Sequence, residues 1–115
     1  MADVVLVEAT EAITHVAVRG NLDEVGVREV NLKLTSQTVT RRKPAIIDLT
    51  DVGFITSLGI GLLVSIRRSM RSLGLGLAVV VGSTAVRRVL EIADIGVMIP
   101  LVETGDEALR ELGVS

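Results

Sequence analysis

The sequence predicts an α/β fold in which a mixed β-sheet carries helices packed on it. Three observations lead to this prediction. The chain has 115 residues, of which 49% are hydrophobic, and this is enough for one core. Short β-branched runs alternate with segments of helical periodicity, which is typical of a largely parallel sheet. Two strands also precede the first helix and add antiparallel character, so the predicted order is β-β-α-β-α-β-α-β-α in a single domain spanning residues 1–115.

The first three elements follow from the spacing of apolar residues. Residues 4–7 and 13–18 are two β-branched runs separated by a polar turn, and they predict adjacent strands. From Asp23 the apolar spacing becomes helical, and this helix should end at the basic tripeptide of residues 41–43, before Pro44.

The middle of the chain predicts a buried strand, a long helix and a second buried strand. Residues 45–50 form a compact apolar run without alternation, as expected of a strand that is covered on both faces. Residues 57–73 have helical periodicity, with arginines opposite the apolar stripe. Residues 77–81 are apolar and mostly β-branched, so they predict a central strand.

The last elements are marked by capping residues and a proline. Ser83 can cap a third helix. Residues 97–102 predict a last strand, which Pro100 makes an edge strand because proline cannot donate a hydrogen bond. Thr104 followed by Glu107 is a capping box that opens a final helix.

Composition excludes several classes of function. The chain has no cysteine, one histidine (His15) and one aromatic residue (Phe54), and its formal net charge is -2. Zinc fingers, iron–sulfur clusters and Cys-His or Ser-His-Asp catalytic systems therefore lack most of their parts. A direct nucleic-acid partner is not expected without a concentrated positive surface. We expect a protein without cofactor or metal that is not an enzyme.

The hydrophobic content does not predict a membrane segment. The longest uncharged runs, residues 52–66 and 72–86, are shorter than the roughly 20 apolar residues of a spanning helix. The amino terminus has early acidic residues and no basic segment before an apolar one, so it does not resemble a secretory signal. The expectation is a soluble cytoplasmic domain that does not insert into a membrane.

One segment, residues 48–64, indicates a functional surface. It leaves a buried strand, turns at Phe54 and enters a helix at Thr56 and Ser57. Helical projection predicts that Ser57 begins a strip that faces away from the core, and exposed apolar strips mark docking sites. The other members of that strip are Ile60, Gly61, Val64 and Arg68. The alternative is that Ser57 or Thr56 only caps the helix.

These residues resemble the STAS domain family, and specifically its stand-alone bacterial anti-sigma factor antagonists. The resemblance lies in GNLD at residues 20–23, IIDLTDVGFI at 46–55, SLGIG at 57–61 and AVRRVLEIADI at 85–95. The family motif is Phe, a variable residue, Asp, Ser, a variable residue and Gly. Here it reads FITSLG at residues 54–59, so Ser57 occupies the position that the family phosphorylates.

The resemblance implies a STAS-like sheet and a partner-switching function. The unphosphorylated protein would bind an anti-sigma factor that is also a serine kinase, and phosphorylation of Ser57 would release it. A metal-dependent serine phosphatase would reverse the modification. A monomer or weak dimer is expected. The residues assigned to partner binding are Asp23, Thr56, Ser57, Ile60, Gly61, Val64 and Arg68.

One departure from the family pattern is Thr56, which stands where the family has Asp. Threonine keeps the capacity to cap the helix, loses the negative charge and offers a second hydroxyl, so Thr56 is an alternative phosphorylation site. The departure leaves open a STAS scaffold that is not phosphorylated, or a subunit of a regulatory or lipid-transport complex. A nucleotide- or lipid-binding STAS module is a third alternative.

Overall fold

The computed structural model describes residues 1–114 and contains a five-stranded β-sheet with the strand order β1-β2-β3-β4-β5. β1 and β2 are antiparallel, and every later neighbour pair is parallel. The strands are β1 (Asp3–Ala9), β2 (Thr14–Arg19), β3 (Ala45–Asp51), β4 (Leu77–Val80) and β5 (Leu101–Val102). The predicted leading hairpin and the parallel remainder are confirmed.

Five helices cover the two faces of the sheet unequally. Four of them pack on one face, and the fifth packs on the other. The helices are α1 (Glu24–Thr38), α2 (Ser57–Ser72), α3 (Thr84–Ile92), α4 (Ile95–Met98) and α5 (Gly105–Glu111). The predicted order of strands and helices is confirmed, with the four-residue α4 as an addition between α3 and β5.

β3 lies in the middle of the sheet and is buried on both faces. Ile47 and Leu49 belong to the main core with α1 to α4, whereas Ile46 belongs to the smaller core beneath α5. Successive side chains of a strand point to opposite faces, and here both faces are covered by helices. This is why the run from residue 45 to residue 50 shows no alternation of apolar and polar residues.

The predicted strand over residues 97–102 is wrong in its first half. Ile95 and Ile99 are both buried, whereas Val97 is 85% exposed. A strand would put all three on one face, but one helical turn puts positions i and i+4 together and turns Val97 outward. Only Leu101–Val102 forms β5. Pro100 adjoins this edge strand, as predicted, and its carbonyl accepts a hydrogen bond from the Val79 N–H at 2.9 Å.

The predicted caps of the later helices are confirmed. The Ser83 hydroxyl accepts a hydrogen bond from the Val86 N–H at 3.3 Å, and the Thr104 hydroxyl accepts one from the Glu107 N–H at 3.1 Å. The Glu107 carboxylate accepts a bond from the Glu103 N–H at 3.4 Å, one residue before the usual capping-box donor. In the described part of the chain, no helix is long and apolar enough to cross a membrane.

Candidate partner-docking and phosphorylation site

The candidate site lies where α1 and α2 begin, next to each other. The Leu22 N–H donates to the Phe54 carbonyl at 2.9 Å, and the Thr56 N–H donates to the Leu22 carbonyl at 3.0 Å. These two bonds form a parallel bridge between Leu22 and Ile55, just ahead of the two helices. The bridge therefore fixes the first turn of α2 beside the first turn of α1.

Ser57 is the first residue of α2 and is exposed to solvent. Thr56, the residue before it, is only partly exposed, and its hydroxyl donates to the Leu22 carbonyl at 3.2 Å. The two candidate hydroxyls therefore have different environments. The Ser57 hydroxyl is on the surface, whereas the Thr56 hydroxyl strengthens the bridge to α1.

The expectation that Thr56 keeps the capping role of the family Asp is wrong. Thr56 occupies the N-cap position, but among residues 1–114 no side chain accepts a hydrogen bond there from the first amides of α2. The hydroxyl points instead to the Leu22 carbonyl. The first turn of α2 also contains no acidic residue. The amino-terminal N–H groups of α2, which carry partial positive charge, thus have no capping side chain.

Asp23 has a defined structural role at the start of α1. It is the N-cap residue, and its Oδ1 accepts a hydrogen bond from the Gly26 N–H at 2.8 Å. A Cβ on Gly26 would overlap the Asn21 carbonyl oxygen, so glycine is required for this tight entry into the helix. Asp23 is partly exposed and lines a surface depression together with Asn21 and Glu29.

The expectation that Ile60 and Val64 face away from the core is wrong. Both are partly buried and pack against the main core. Helical projection treats α2 as an isolated helix, but α1 packs along it on one flank. The Arg67 Nε also donates to the carbonyl of Met98, the last residue of α4, at 2.9 Å. Residues on the flanks of α2 are therefore covered by neighbouring helices.

Gly61 and Arg68 are exposed, as predicted. The exposed apolar side chains near Ser57 are different ones, namely Phe54 at 53% exposure and Leu58 at 51%. We call Phe54, Ser57 and Leu58 the α2-start patch. Sequence reasoning treated Phe54 as an anchor of the turn and did not select Leu58. The available signal was that Leu58 lies outside the helical stripe of Leu62, Leu63 and Ile66.

The site has few side chains that could bind a metal ion. Within residues 1–114, no group of three or more histidine or acidic side chains is arranged to hold a metal ion. What the α2-start patch offers is a surface hydroxyl, two exposed apolar side chains and uncapped helix amides. This set is suited to contact with a protein and to modification of the hydroxyl.

Comparison with known proteins assigns the family. The model of the STAS domain matches residues 5–108, so the chain belongs to the STAS domain family. An anti-sigma factor antagonist from Mycobacterium paratuberculosis has a similar structure, with a TM-score of 0.83 and 24% identity over 98% of this chain and 95% of that one. No significant match is found among curated protein sequences.

Two structures of SpoIIAA are also similar. The anti-sigma factor antagonist SpoIIAA in its unphosphorylated form has a TM-score of 0.77 and 21% identity, over 98% of this chain and 99% of that one. The Bacillus cell fate determinant SpoIIAA in the phosphorylated form has a TM-score of 0.67 and 20% identity, over 95% of this chain and 98% of that one. At these identities the likeness establishes a shared fold.

Proposed function

We propose that this chain is an anti-sigma factor antagonist that acts by partner switching, as a regulator and not as an enzyme. Unphosphorylated, it binds an anti-sigma factor that is also a serine kinase, and phosphorylation of Ser57 releases it. The observation that carries the proposal is the exposed Ser57 hydroxyl on the first turn of α2, in the family motif, beside exposed Phe54 and Leu58. The similar structures of anti-sigma factor antagonists and of SpoIIAA in a phosphorylated form support the same role.

Ser57 is the better acceptor of the two neighbouring hydroxyls. Its side chain is exposed, so a kinase can bring the γ-phosphate of ATP to its oxygen while the hydroxyl proton is removed and ADP leaves. Thr56 would first have to give up its hydrogen bond to the Leu22 carbonyl. Loss of such a bond costs about 0.5–1.5 kcal/mol, which disfavours transfer to Thr56.

Phosphorylation at Ser57 would affect the free protein and the complex differently. A phosphate adds a charge of about -1.5 to -2. In the free protein, the uncapped amides at the start of α2 favour an anion at this position. In the complex, Phe54 and Leu58 would be removed from water, and a hydrated phosphate between them opposes that burial. Binding is therefore weakened while the fold is retained.

The docking surface combines the residues selected from sequence with the α2-start patch. Ser57, Gly61 and Arg68 present exposed atoms to the partner, and Ile60 and Val64 support the surface from beneath. Asp23 and Thr56 hold the first turns of α1 and α2 in place. The remaining members of the system are a metal-dependent serine phosphatase and the kinase, and the chain itself works in the cytoplasm as a monomer or weak dimer.

The phosphorylation step is tested by incubating the protein with ATP and the anti-sigma factor serine kinases of the same genome, followed by mass spectrometry of the modified peptide. We expect one phosphate on Ser57. Ser57→Ala should abolish modification, whereas Thr56→Val should retain it. Ser65→Ala is the matched control, because Ser65 is an exposed serine two turns along α2. Unchanged modification of Ser57→Ala would overturn Ser57 as the acceptor.

A second candidate is a STAS scaffold that is not phosphorylated, or a subunit of a regulatory or lipid-transport complex. The observation in its favour is Thr56 in place of the family Asp. This candidate predicts no phosphate transfer by any of the kinases and stable co-purification with a multi-subunit complex. The phosphorylation experiment therefore separates the two functions.

A further inference from the structure

A crevice lies at the carboxyl ends of β4 and β5, the two strands that follow β3 in the sheet order. These two strands are parallel neighbours, but the chain leaves them in opposite directions. After β4 it enters α3 on the face of the main core, and after β5 it enters α5 on the other face. In open α/β sheets, ligands bind where adjacent connections separate in this way.

The structure contains a cavity of about 410 Å³ at this place. Its volume is within the range of small-molecule sites, roughly 300–1,000 Å³. The residues lining it come from the ends of both strands and from α3, and they are Val81, Gly82, Ser83, Thr84, Arg87 and Glu103. The cavity therefore has one basic, one acidic and two hydroxyl side chains around a small apolar base.

Arg87 is the most informative residue of the cavity. Its Nη2 is buried, and it has no hydrogen-bond partner anywhere in residues 1–114. Nor is a carboxylate of the described chain within 4.0 Å of its guanidinium group. A buried donor of a charged group without a partner is destabilising. The guanidinium N–H groups of Arg87 that reach the cavity are suited to donate charged hydrogen bonds to an oxyanion.

The other polar groups of the cavity indicate that its ligand carries hydrogen-bond donors as well as an anion. The Ser83 oxygen accepts the Val86 N–H, and its own O–H is available to donate. Glu103 is exposed and contributes a carboxylate to the same cavity. A simple anion would be repelled by Glu103, but a hydroxyl or ammonium group on the ligand can donate to it. The two opposite charges thus favour a ligand with an oxyanion at one end and donors at the other.

We propose that this crevice binds a small metabolite that combines an oxyanion, either a phosphate monoester or a carboxylate, with hydroxyl or ammonium groups. The oxyanion lies on Arg87, with the Ser83 and Thr84 hydroxyls as additional donors, and the donor groups of the ligand lie on Glu103. This site does not depend on the phosphorylation of Ser57.

The test is an NMR titration of the whole protein with four probes. Glycerol 3-phosphate and glycerate carry an oxyanion and hydroxyl groups, inorganic phosphate lacks the hydroxyl-bearing part, and glycerol lacks the anion. We expect glycerol 3-phosphate or glycerate to shift the amides of residues 81–84, 87 and 103 at millimolar concentration and glycerol to shift none. A response to one anion and not the other identifies the oxyanion. If neither glycerol 3-phosphate nor glycerate shifts these amides, the proposal is overturned.

Variants of two adjacent arginines distinguish binding at the proposed site from a general effect of removing positive charge. Arg87→Gln should weaken binding of the responding probe at least about tenfold, the factor for one charged hydrogen-bonding partner. Arg88→Gln is the matched control, since it removes the same charge from the next residue of α3 and Arg88 is exposed. Equal weakening by both variants would overturn the assignment of Arg87.

Glu103→Gln gives a second test that leaves Arg87 unchanged. Without the carboxylate, inorganic phosphate should bind more tightly, and the preference for glycerol 3-phosphate over inorganic phosphate should fall. Glu103 is exposed, so the variant is expected to fold. An unchanged ratio of the two affinities would overturn the role of Glu103 in the proposed site.

Discussion

Two glycines two residues apart in α2 show how strongly a single position depends on its surroundings. A Cβ on Gly59 would lie 2.9 Å from both Cβ and the carbonyl oxygen of Leu22, and this backbone is held by the bridge to Ile55. For Gly61, nothing in the described chain lies within 4 Å of an added Cβ. The first turn of α2 is thus seated directly on the chain that precedes α1.

We therefore predict opposite effects of the same substitution. Gly59→Ala should destabilise the protein by about 1–3 kcal/mol because the added methyl group overpacks a fixed contact. Gly61→Ala should stabilise it by up to about 1 kcal/mol, the difference in helix propensity. Urea denaturation of both variants measures the free energy of unfolding. A neutral Gly59→Ala would mean that the bridge at Leu22 can move.

At the residue scale, the sequence predicted local features better than contacts between distant segments. The position of Ser57 at the start of a helix followed from the turn before it and the periodicity after it. The pairing of His15 with Asp48 did not, because the two lie on neighbouring parallel strands. Their side chains approach to 3.8 Å. Thr56 was likewise unpredictable, since its hydrogen bond goes to Leu22, far away in sequence.

The stability of a helix depends on its cap. Two variants of Asp23 distinguish its role as the cap of α1 from a role in partner binding. Asp23→Ala should destabilise the protein by about 0.5–2 kcal/mol through loss of the bond to the Gly26 N–H. Asp23→Asn should keep this stability because asparagine caps equally well. Because Asp23 is among the residues assigned to partner binding, Asp23→Asn should weaken partner binding without lowering the urea midpoint.

The control for this prediction is the cap of α3. Ser83→Ala removes a comparable hydrogen bond, the one from the Val86 N–H. It should lower the urea midpoint by a similar amount without weakening partner binding. Full partner affinity in Asp23→Asn would show that Asp23 acts only as a cap.

At the element scale, strand and helix types were predictable except where tertiary packing decides between them. The run from Ile95 to Ile99 has apolar residues at positions compatible with either a strand or one helical turn. The left-handed backbone of Asp94, with φ of 56°, redirects the chain before it. Burial of Ile95 and Ile99 against the main core then stabilises α4. Neither influence can be deduced from a window of a few residues.

Residues 1–114 expose large apolar side chains in several places, among them Leu6 and Val7 on β1 and Val25 and Leu32 on α1. Two further places lie between Phe54 and Met98, and only one of these is the proposed docking surface. One is the α2-start patch. The other, formed by Ile92, Val97 and Met98, lies on α3 and α4. Because apolar side chains are exposed in several places, exposure alone does not distinguish a docking site from an ordinary surface. The Ser57 hydroxyl within the first patch is the feature that distinguishes it.

Charge substitutions compare the two places directly. Leu58→Asp introduces a carboxylate at the second position of α2, where the helix dipole favours it, so the fold should be retained while binding of the anti-sigma factor kinase falls at least about tenfold. Val97→Asp is the matched control and should bind normally. Val64→Asp should instead lower the free energy of unfolding, because Val64 packs against the core. Calorimetry measures the affinity of each variant for the kinase, and urea denaturation measures its free energy of unfolding. If Leu58→Asp keeps full affinity and Val97→Asp loses binding, the docking surface lies on α3 and α4 instead.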